Sequence, residues 1–185
     1  MVSVVRYSTA TAPLALAFLL ISCLAGQAME LTSPEIADGA KLSIAQVHTR
    51  CGGQNRSPAL RWSGAPAGTR SFAVTLFDPD GGGGAGFWHW LIYDVPAGTS
   101  ELPEGAGAGN GLPSGAQQAP NDFGDTGYGG ACPPSGSGEH HYEFSLYALG
   151  VPKLSLGTNA NGAAITAYLK AHSLATATLV GSYSR

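Results

Sequence analysis

The chain is divided into short apolar segments by stretches rich in glycine and proline, and this division limits the folds open to it. Four of the segments combine β-branched and aromatic residues, which favours β-strands: residues 71–77, 88–93, 141–147 and 174–180. The stretches between them hold 16 of the chain's 27 glycines and three of its 12 prolines: residues 81–86, 104–115 and 124–138. Many short strands joined by such turns predict a mainly β fold, an antiparallel β-sandwich with a few short helices.

One segment near the C-terminus has a helical pattern. Residues 160–171 predict a helix that begins near Asn159 or Asn161, either of which would cap it. The glycine-rich stretches lie between predicted strands, so they are not linkers between domains. A length of 185 residues suits one domain, which we place at residues 29–185.

Residues 1–28 have the pattern of a cleaved secretory signal peptide. An apolar run begins at residues 14–21, is too short to span a bilayer, and leads to small residues that suit cleavage after Ala28. Residues 20–23 also resemble a bacterial lipobox, in which Cys23 would be lipidated and become the new N-terminus. Both alternatives predict an exported protein, either periplasmic or secreted.

Cleavage after Ala28 leaves two cysteines, Cys51 and Cys132. In an oxidising compartment, two cysteines favour a single disulfide, which here would close a loop on the order of 80 residues. Two separate buried thiols are the alternative that the sequence leaves open.

The charge distribution argues against a nucleic-acid partner. The formal net charge is −3, and the nine Lys and Arg residues are scattered along the chain. Contacts with a phosphate backbone require clustered basic side chains, and this sequence has no basic run.

Polar side chains stand at the ends of two apolar strand faces. Successive side chains of a strand alternate between its faces, so Asp78 shares a face with Leu76, and His140 and Tyr142 open the apolar face of the third strand. We therefore expect Asp78, His140 and Tyr142 to face inward and His141 to face solvent. An inward carboxylate needs hydrogen-bond donors, because burying an unpaired charge is costly.

The second predicted strand adds His89, which alternates with Trp88 and Trp90. The two tryptophans are more typical of packing than of ligand stacking. Histidine becomes positively charged near its reference pKa of about 6.5, and glycine-rich loops offer backbone N–H groups to an anion. Together with the three inward groups, His89 therefore suits a site for a phosphate or a carboxylate.

Catalytic and metal-binding alternatives lack a local motif. The chain has no GxSxG elbow for a Ser-His-Asp triad, no HExxH or paired CxxC, and no Walker loop or GxGxxG pattern between a strand and a helix; the glycine run at Gly81 to Gly84 lies between two predicted strands. His89, His140 and Asp78 would form a two-His-one-carboxylate metal centre only by long-range convergence. The sequence predicts a binding protein without a metal or cofactor. The alternative is a phosphoester or lipid hydrolase that uses His89 or His140 as general acid or base.

Several motifs, in order along most of the mature chain, resemble those of a known family. They are Cys51-Gly52, residues 57–62, Asp78-Pro79-Asp80, Trp88-His89-Trp90, residues 121–124, residues 128–130, Cys132-Pro133-Pro134 and His140-His141-Tyr142. The family is that of the phosphatidylethanolamine-binding proteins, also called Raf kinase inhibitor-like proteins, and the motifs resemble its bacterial YbhB/YbcL branch.

The resemblance implies an antiparallel β-sandwich with a small anion pocket at one end, which accepts phosphate-like groups, including phospholipid headgroups. Carried over by motif, the ligand-binding residues of this chain are Asp78, Asp80, Trp88, His89, Pro134, His140 and Tyr142. Asp80 and Trp88 are expected to lie beside the pocket. Some members of the family inhibit a protease or a kinase by surface contact, so a protein target is a further expectation.

Two positions depart from the family pattern. Gly81-Gly82 follows the Asp-Pro-Asp motif where members usually carry Ala-Pro, so we expect a more flexible loop at one wall of the pocket. His141 replaces the usual Arg between His and Tyr. Because His141 is predicted to face outward, we expect it to alter a surface salt bridge or a partner contact rather than the pocket.

Overall fold

The computed structural model describes residues 1–2, 28–156 and 160–185. Almost all of the predicted signal peptide lies outside the described residues, as do the lipobox cysteine Cys23 and the candidate cap Asn159. Among the described residues, no helix is both long enough and apolar enough to cross a membrane. The signal peptide therefore stays a prediction.

The described residues form nine β-strands and one α-helix. The strands are β1 (Glu30–Thr32), β2 (Ala40–Lys41), β3 (Leu60–Ser63), β4 (Ser71–Asp78), β5 (Phe87–Pro96), β6 (Glu101–Leu102), β7 (Gln117–Gln118), β8 (His140–Leu149) and β9 (Ser173–Tyr183). The helix, α1, spans Gly162–His172, and short 3-10 turns lie at Thr49–Cys51, Gly82–Gly84 and Ala106–Ala108. The predicted mainly β fold with a helix near the C-terminus is confirmed, and β4, β5, β8 and β9 correspond to the four predicted strands.

Two sheets enclose the main core. The larger sheet has the order β2-β9-β8-β4-β5-β7, and the smaller one has the order β1-β3-β6. All neighbouring strands pair antiparallel except β2 with β9. The smaller sheet packs against one face of the larger, where the rings of Trp62 and Phe72 lie 5.4 Å apart. Because α1 covers part of the opposite face, β4 is buried on both sides for most of its length.

The helix begins where a side chain caps it. Asn161 precedes α1, and its Oδ1 accepts a hydrogen bond from the backbone N–H of Ala164 at 2.9 Å, so Asn161 is the N-cap. Ile165 and Leu169, four residues apart, are buried against the larger sheet. The first helical residue, Gly162, lies so close to the Trp88 indole that a Cβ atom would not fit.

A β-bulge interrupts the start of β5. Phe77 of β4 is paired with Trp88, and Leu76 is paired with Trp90, so His89 is an extra residue in β5. Strict alternation along β5 predicts that Trp88 and Trp90 lie on one face of the sheet, and this prediction is wrong. The bulge sends Trp90 into the main core with Leu76, while Trp88 packs on the face that carries α1.

Cys51 and Cys132 form a disulfide with their Cα atoms 5.6 Å apart, which decides between the two alternatives left open by the sequence. The bond ties the turn at Thr49–Cys51 to the segment that leads into β8. A backbone hydrogen bond of 3.0 Å from His48 N to Ala131 O joins the same two segments.

Candidate functional site

Three strands bring buried polar residues to one end of the larger sheet. Asp78 is the last residue of β4, His140 is the first residue of β8, and His89 lies in the bulge near the start of β5. Because β5 and β8 flank β4 and run antiparallel to it, their first residues lie beside its last. The three residues are 3%, 4% and 3% exposed, respectively.

A cavity of about 290 Å³ opens beside these residues. Its walls combine the glycine loop after β4, two aromatic rings and the segment around the disulfide. The lining residues are Asp78, Gly81, Gly82, Gly83, Phe87, His89, Phe123, Cys132, Pro133, Pro134 and His140. The structure therefore brings Asp78, His89, Pro134 and His140, four of the residues predicted for the site, to one cavity.

The Asp78 carboxylate accepts three hydrogen bonds from the protein. Its Oδ1 accepts from the backbone N–H groups of Asp80 and Gly81, both at 2.9 Å, which closes the turn after β4. Its Oδ2 accepts from His140 Nδ1 at 2.8 Å. These three donors explain how the fold tolerates a carboxylate that is almost completely buried.

His89 is held in one orientation by the backbone. Its Nδ1 donates to the carbonyl oxygen of Gly129 at 2.7 Å, and its Nε2 lies 3.9 Å from Asp78 Oδ2, beyond hydrogen-bond reach. Burial lowers the pKa of His89, and the Gly129 hydrogen bond and the charge of Asp78 oppose this in part. A neutral imidazole fixed through Nδ1 presents Nε2 as an acceptor, and protonation turns that atom into a donor.

His140 has a partner that sequence reasoning missed. Its Nε2 lies 2.9 Å from the Oγ of Ser137, and the same hydroxyl lies 2.8 Å from the carbonyl oxygen of Pro134. Ser137 sits in the glycine-rich turn before β8, where its N–H donates to Pro134 O at 3.1 Å. In the sequence, Ser137 is a serine three residues before an inward histidine. That spacing indicates a contact only once the geometry of the turn is known.

Tyr142, the remaining inward residue, lies behind the cavity wall. It is fully buried, and its ring stands edge-to-face to His89 at 5.2 Å between centroids. Burial raises the pKa of Tyr142, the charge of Asp78 adds to this effect, and the backbone of Cys132 opposes it. The tyrosine therefore supports the imidazole and does not line the cavity.

Asp80 and Trp88 do not line the cavity either. Asp80 is on the surface, where its Oδ2 accepts from the backbone N–H of His141 at 2.9 Å and from His141 Nδ1 at 2.8 Å. The hydrogen bond from the His141 imidazole lowers the pKa of Asp80 and raises that of His141. Trp88 lies on the other face of the sheet, 4.2 Å from Phe77 between ring centroids.

The loop after β4 has a backbone conformation that requires Gly81-Gly82 in place of the usual Ala-Pro pair. A Cβ atom on Gly81 would lie 2.8 Å from Phe87 Cβ and 3.0 Å from Asp78 Oδ2, too close for alanine without displacement. Gly82 and Gly83 have φ of +57° and +69°, values that proline cannot adopt. The Ala-Pro pair usual in the family would therefore require a different path for this wall of the cavity.

The site offers hydrogen-bonding and proton-transfer chemistry. Within residues 28–156 and 160–185, no three His, Cys, Asp or Glu side chains are grouped so as to hold a metal ion. Two imidazoles, one of them paired with a carboxylate, lie beside a cavity with aromatic and proline walls. Such groups bind an anion when protonated, or move a proton when neutral.

Comparison with known proteins identifies clear relatives. Residues 32–184 match the model of the family described as phosphatidylethanolamine-binding protein. YbcL of Escherichia coli strain K12 is 45% identical to this chain over 172 residues, which cover 91% of this chain and 93% of YbcL. YbhB of the same strain is 42% identical over 159 residues, covering 84% of this chain and 100% of YbhB.

The fold is also similar to that of a solved relative. The crystal structure of Escherichia coli YbcL, described as a new member of the mammalian PEBP family, matches with a TM-score of 0.82 at 44% identity. The match covers 86% of this chain and 99% of the YbcL chain. All of the residues that line the cavity lie inside the region that matches the family model.

Proposed function

Because the chain belongs to the phosphatidylethanolamine-binding protein family, we propose that it binds a small phosphorylated or carboxylated ligand in the cavity beside Asp78. A phospholipid headgroup is one ligand of this class. The observation that carries the proposal is the buried His89 imidazole, fixed through Nδ1 and facing a cavity of about 290 Å³. An orientation fixed before binding reduces the entropy lost when a ligand is bound.

The same proposal places the protein outside the cytoplasm. The signal-peptide pattern of residues 1–28 supports export, and the disulfide between Cys51 and Cys132 suits an oxidising compartment. An inhibitory contact with a protease or a kinase, which the family resemblance implies, would use the outer surface and is independent of the cavity.

Replacing His89 by alanine is expected to weaken the binding of phosphoethanolamine by about tenfold to a hundredfold, because the hydrogen bond that the protonated imidazole donates to the anion from Nε2 is lost. Isothermal titration of wild-type protein and the variant measures this. His89 is a sharper choice than His140, because removing His140 would also leave the buried Asp78 carboxylate without its imidazole partner.

His141→Ala is the matched control. It removes an imidazole from the same end of the sheet, but that imidazole is exposed and pairs with Asp80 outside the cavity. We expect its affinity for phosphoethanolamine to equal that of the wild type. Equal affinities of wild type and His89→Ala, with both proteins folded by circular dichroism, would refute the assignment of the cavity as the binding site.

Anion affinity is expected to rise as the pH falls below the ordinary histidine pKa of 6.5. Burial lowers the pKa of His89, so the imidazole is neutral at neutral pH and gains its charge only below that value. Since an anion prefers the charged imidazole, binding raises the His89 pKa, and affinity increases toward low pH. Titration with sulfate between about pH 8 and about pH 5 is suitable, because its charge is constant there. A constant affinity over this range would show that binding does not depend on a histidine that gains its proton between about pH 8 and about pH 5.

A further inference from the structure

A serine, a histidine and an aspartate form one hydrogen-bonded chain at the edge of the cavity. Ser137 Oγ lies 2.9 Å from His140 Nε2, and His140 Nδ1 lies 2.8 Å from Asp78 Oδ2. This is the order of contacts in serine hydrolases: nucleophile, base, and a carboxylate that orients the base. The lack of a GxSxG motif argued against a triad, but a turn supplies the serine without that motif.

We propose that Ser137 is an activated nucleophile and that the protein hydrolyses small carboxylic esters whose acyl group enters the cavity. This activity goes beyond the proposed ligand binding and uses a residue that lies outside the cavity lining. It also supplies a nucleophile within reach of His140, which the hydrolase alternative considered from the sequence lacked.

The exposure of Ser137, His140 and Asp78 suits the roles of nucleophile, base and orienting carboxylate. Asp78 and His140 are 3% and 4% exposed, so their contact is shielded from water, whereas Ser137 is exposed at the surface of its turn. A neutral His140 that donates from Nδ1 to the carboxylate must present its lone pair on Nε2, toward the serine. Asp78 is held in turn by the Asp80 and Gly81 N–H groups, so the imidazole is oriented by a rigid partner.

The Ser137 hydroxyl has a single proton and two acceptors. When His140 is neutral, the hydroxyl can donate to Nε2, which prepares the oxygen for attack. When His140 is charged, Nε2 donates to the hydroxyl, and the hydroxyl donates to Pro134 O. The neutral state of His140 is therefore the catalytic one, and the charged state adds positive charge beside the cavity.

In the reaction, Ser137 Oγ attacks the ester carbonyl carbon as its proton passes to His140 Nε2. The tetrahedral intermediate then breaks the bond to the alcohol oxygen, which leaves with the proton from Nε2. A water molecule attacks the acyl-serine by the same route, giving a carboxylic acid and restoring the serine hydroxyl. The backbone N–H of Gly138, the residue after the nucleophile, donates to no acceptor among the described residues and is the candidate oxyanion donor.

The cavity walls indicate the acyl group. Phe87, Phe123 and Pro133 present apolar surface, and the glycine loop adds no charge. A short, apolar acyl chain fits against these walls. Its product is a carboxylate, which belongs to the anion class proposed above as the ligand of the same cavity.

The test uses the full chain, p-nitrophenyl butyrate as the ester and a fluorophosphonate that labels activated serines. We expect hydrolysis above the buffer rate and a covalent adduct on Ser137 by peptide mass spectrometry. Ser137→Ala should abolish the adduct and lower kcat/KM by about a thousandfold. Ser135→Ala changes an exposed serine of the same segment that bonds to none of the three residues, so it should retain both properties.

An adduct elsewhere, no adduct at all, or unchanged hydrolysis by Ser137→Ala would overturn the proposal. The binding proposal has a separate readout, because Ser137→Ala keeps His89 and its orienting bond to Gly129. Phosphoethanolamine binding with no ester hydrolysis would reject the nucleophile alone. Hydrolysis that depends on Ser137, with no binding of phosphoethanolamine, would reject the anion ligand alone.

Discussion

Replacing both Cys51 and Cys132 by serine is expected to lower the free energy of unfolding by about 4.5 kcal/mol in the chain-entropy description. The two cysteines are 81 residues apart, so the disulfide removes many conformations from the unfolded chain. The bond also anchors the Cys132-Pro133-Pro134 wall of the cavity to the turn at Thr49–Cys51. Without the disulfide this wall is less well anchored, and the cavity should therefore bind anions more weakly.

Equilibrium unfolding in guanidinium chloride, with one linear extrapolation for both proteins, measures the change in free energy. Wild-type protein kept in a reductant is the matched control, because it loses the bond without a substitution. The two samples should have similar midpoints of unfolding, both below that of oxidised wild type. A double-serine variant as stable as the oxidised protein would show that the bond adds nothing to stability.

Replacing Asp78 by alanine is expected to cost about 3 to 5 kcal/mol, because it removes the carboxylate that accepts three hydrogen bonds, two from backbone N–H groups and one from His140. The carboxylate accepts from Asp80 N, Gly81 N and His140 Nδ1, and without it Gly81 N keeps only its longer bond of 3.3 Å to the Asp78 carbonyl oxygen. Chemical denaturation again measures the loss. A change below about 1 kcal/mol would mean that water replaces the carboxylate without penalty.

One further variant separates the charge of Asp78 from its hydrogen bonds, and a change at Asp80 is its control. Asp78→Asn keeps an oxygen for the Asp80 and Gly81 N–H groups, but its amide N–H donates to His140 Nδ1 and moves the imidazole proton to Nε2. We expect a smaller loss of stability and a reversed tautomer, visible in the ¹⁵N shifts of His140. Asp80→Asn, which alters only an exposed pair with His141, should cost less than about 1 kcal/mol.

Local patterns predicted the orientation of several site residues correctly. Alternation along β4 and β8 placed Asp78, His140 and Tyr142 inward, and all three are buried, whereas His141 is exposed. Alternation failed in β5, because an extra residue there has no signature in a single sequence. Trp88 was named beside the pocket by motif, and the bulge places it on the opposite face of the sheet.

The sequence alone determined the mainly β architecture, the four long strands, the C-terminal helix and the family, because these depend on neighbouring residues and on motifs in chain order. Only the tertiary structure decided whether Cys51 and Cys132 pair, which residues line the cavity and which side chain His140 contacts. Asp78 and His140 are 62 residues apart in the chain, and the pairing of β4 with β8 makes them neighbours. Ser137 joins them because a turn closes on Pro134, and no residue pattern records where that hydroxyl points.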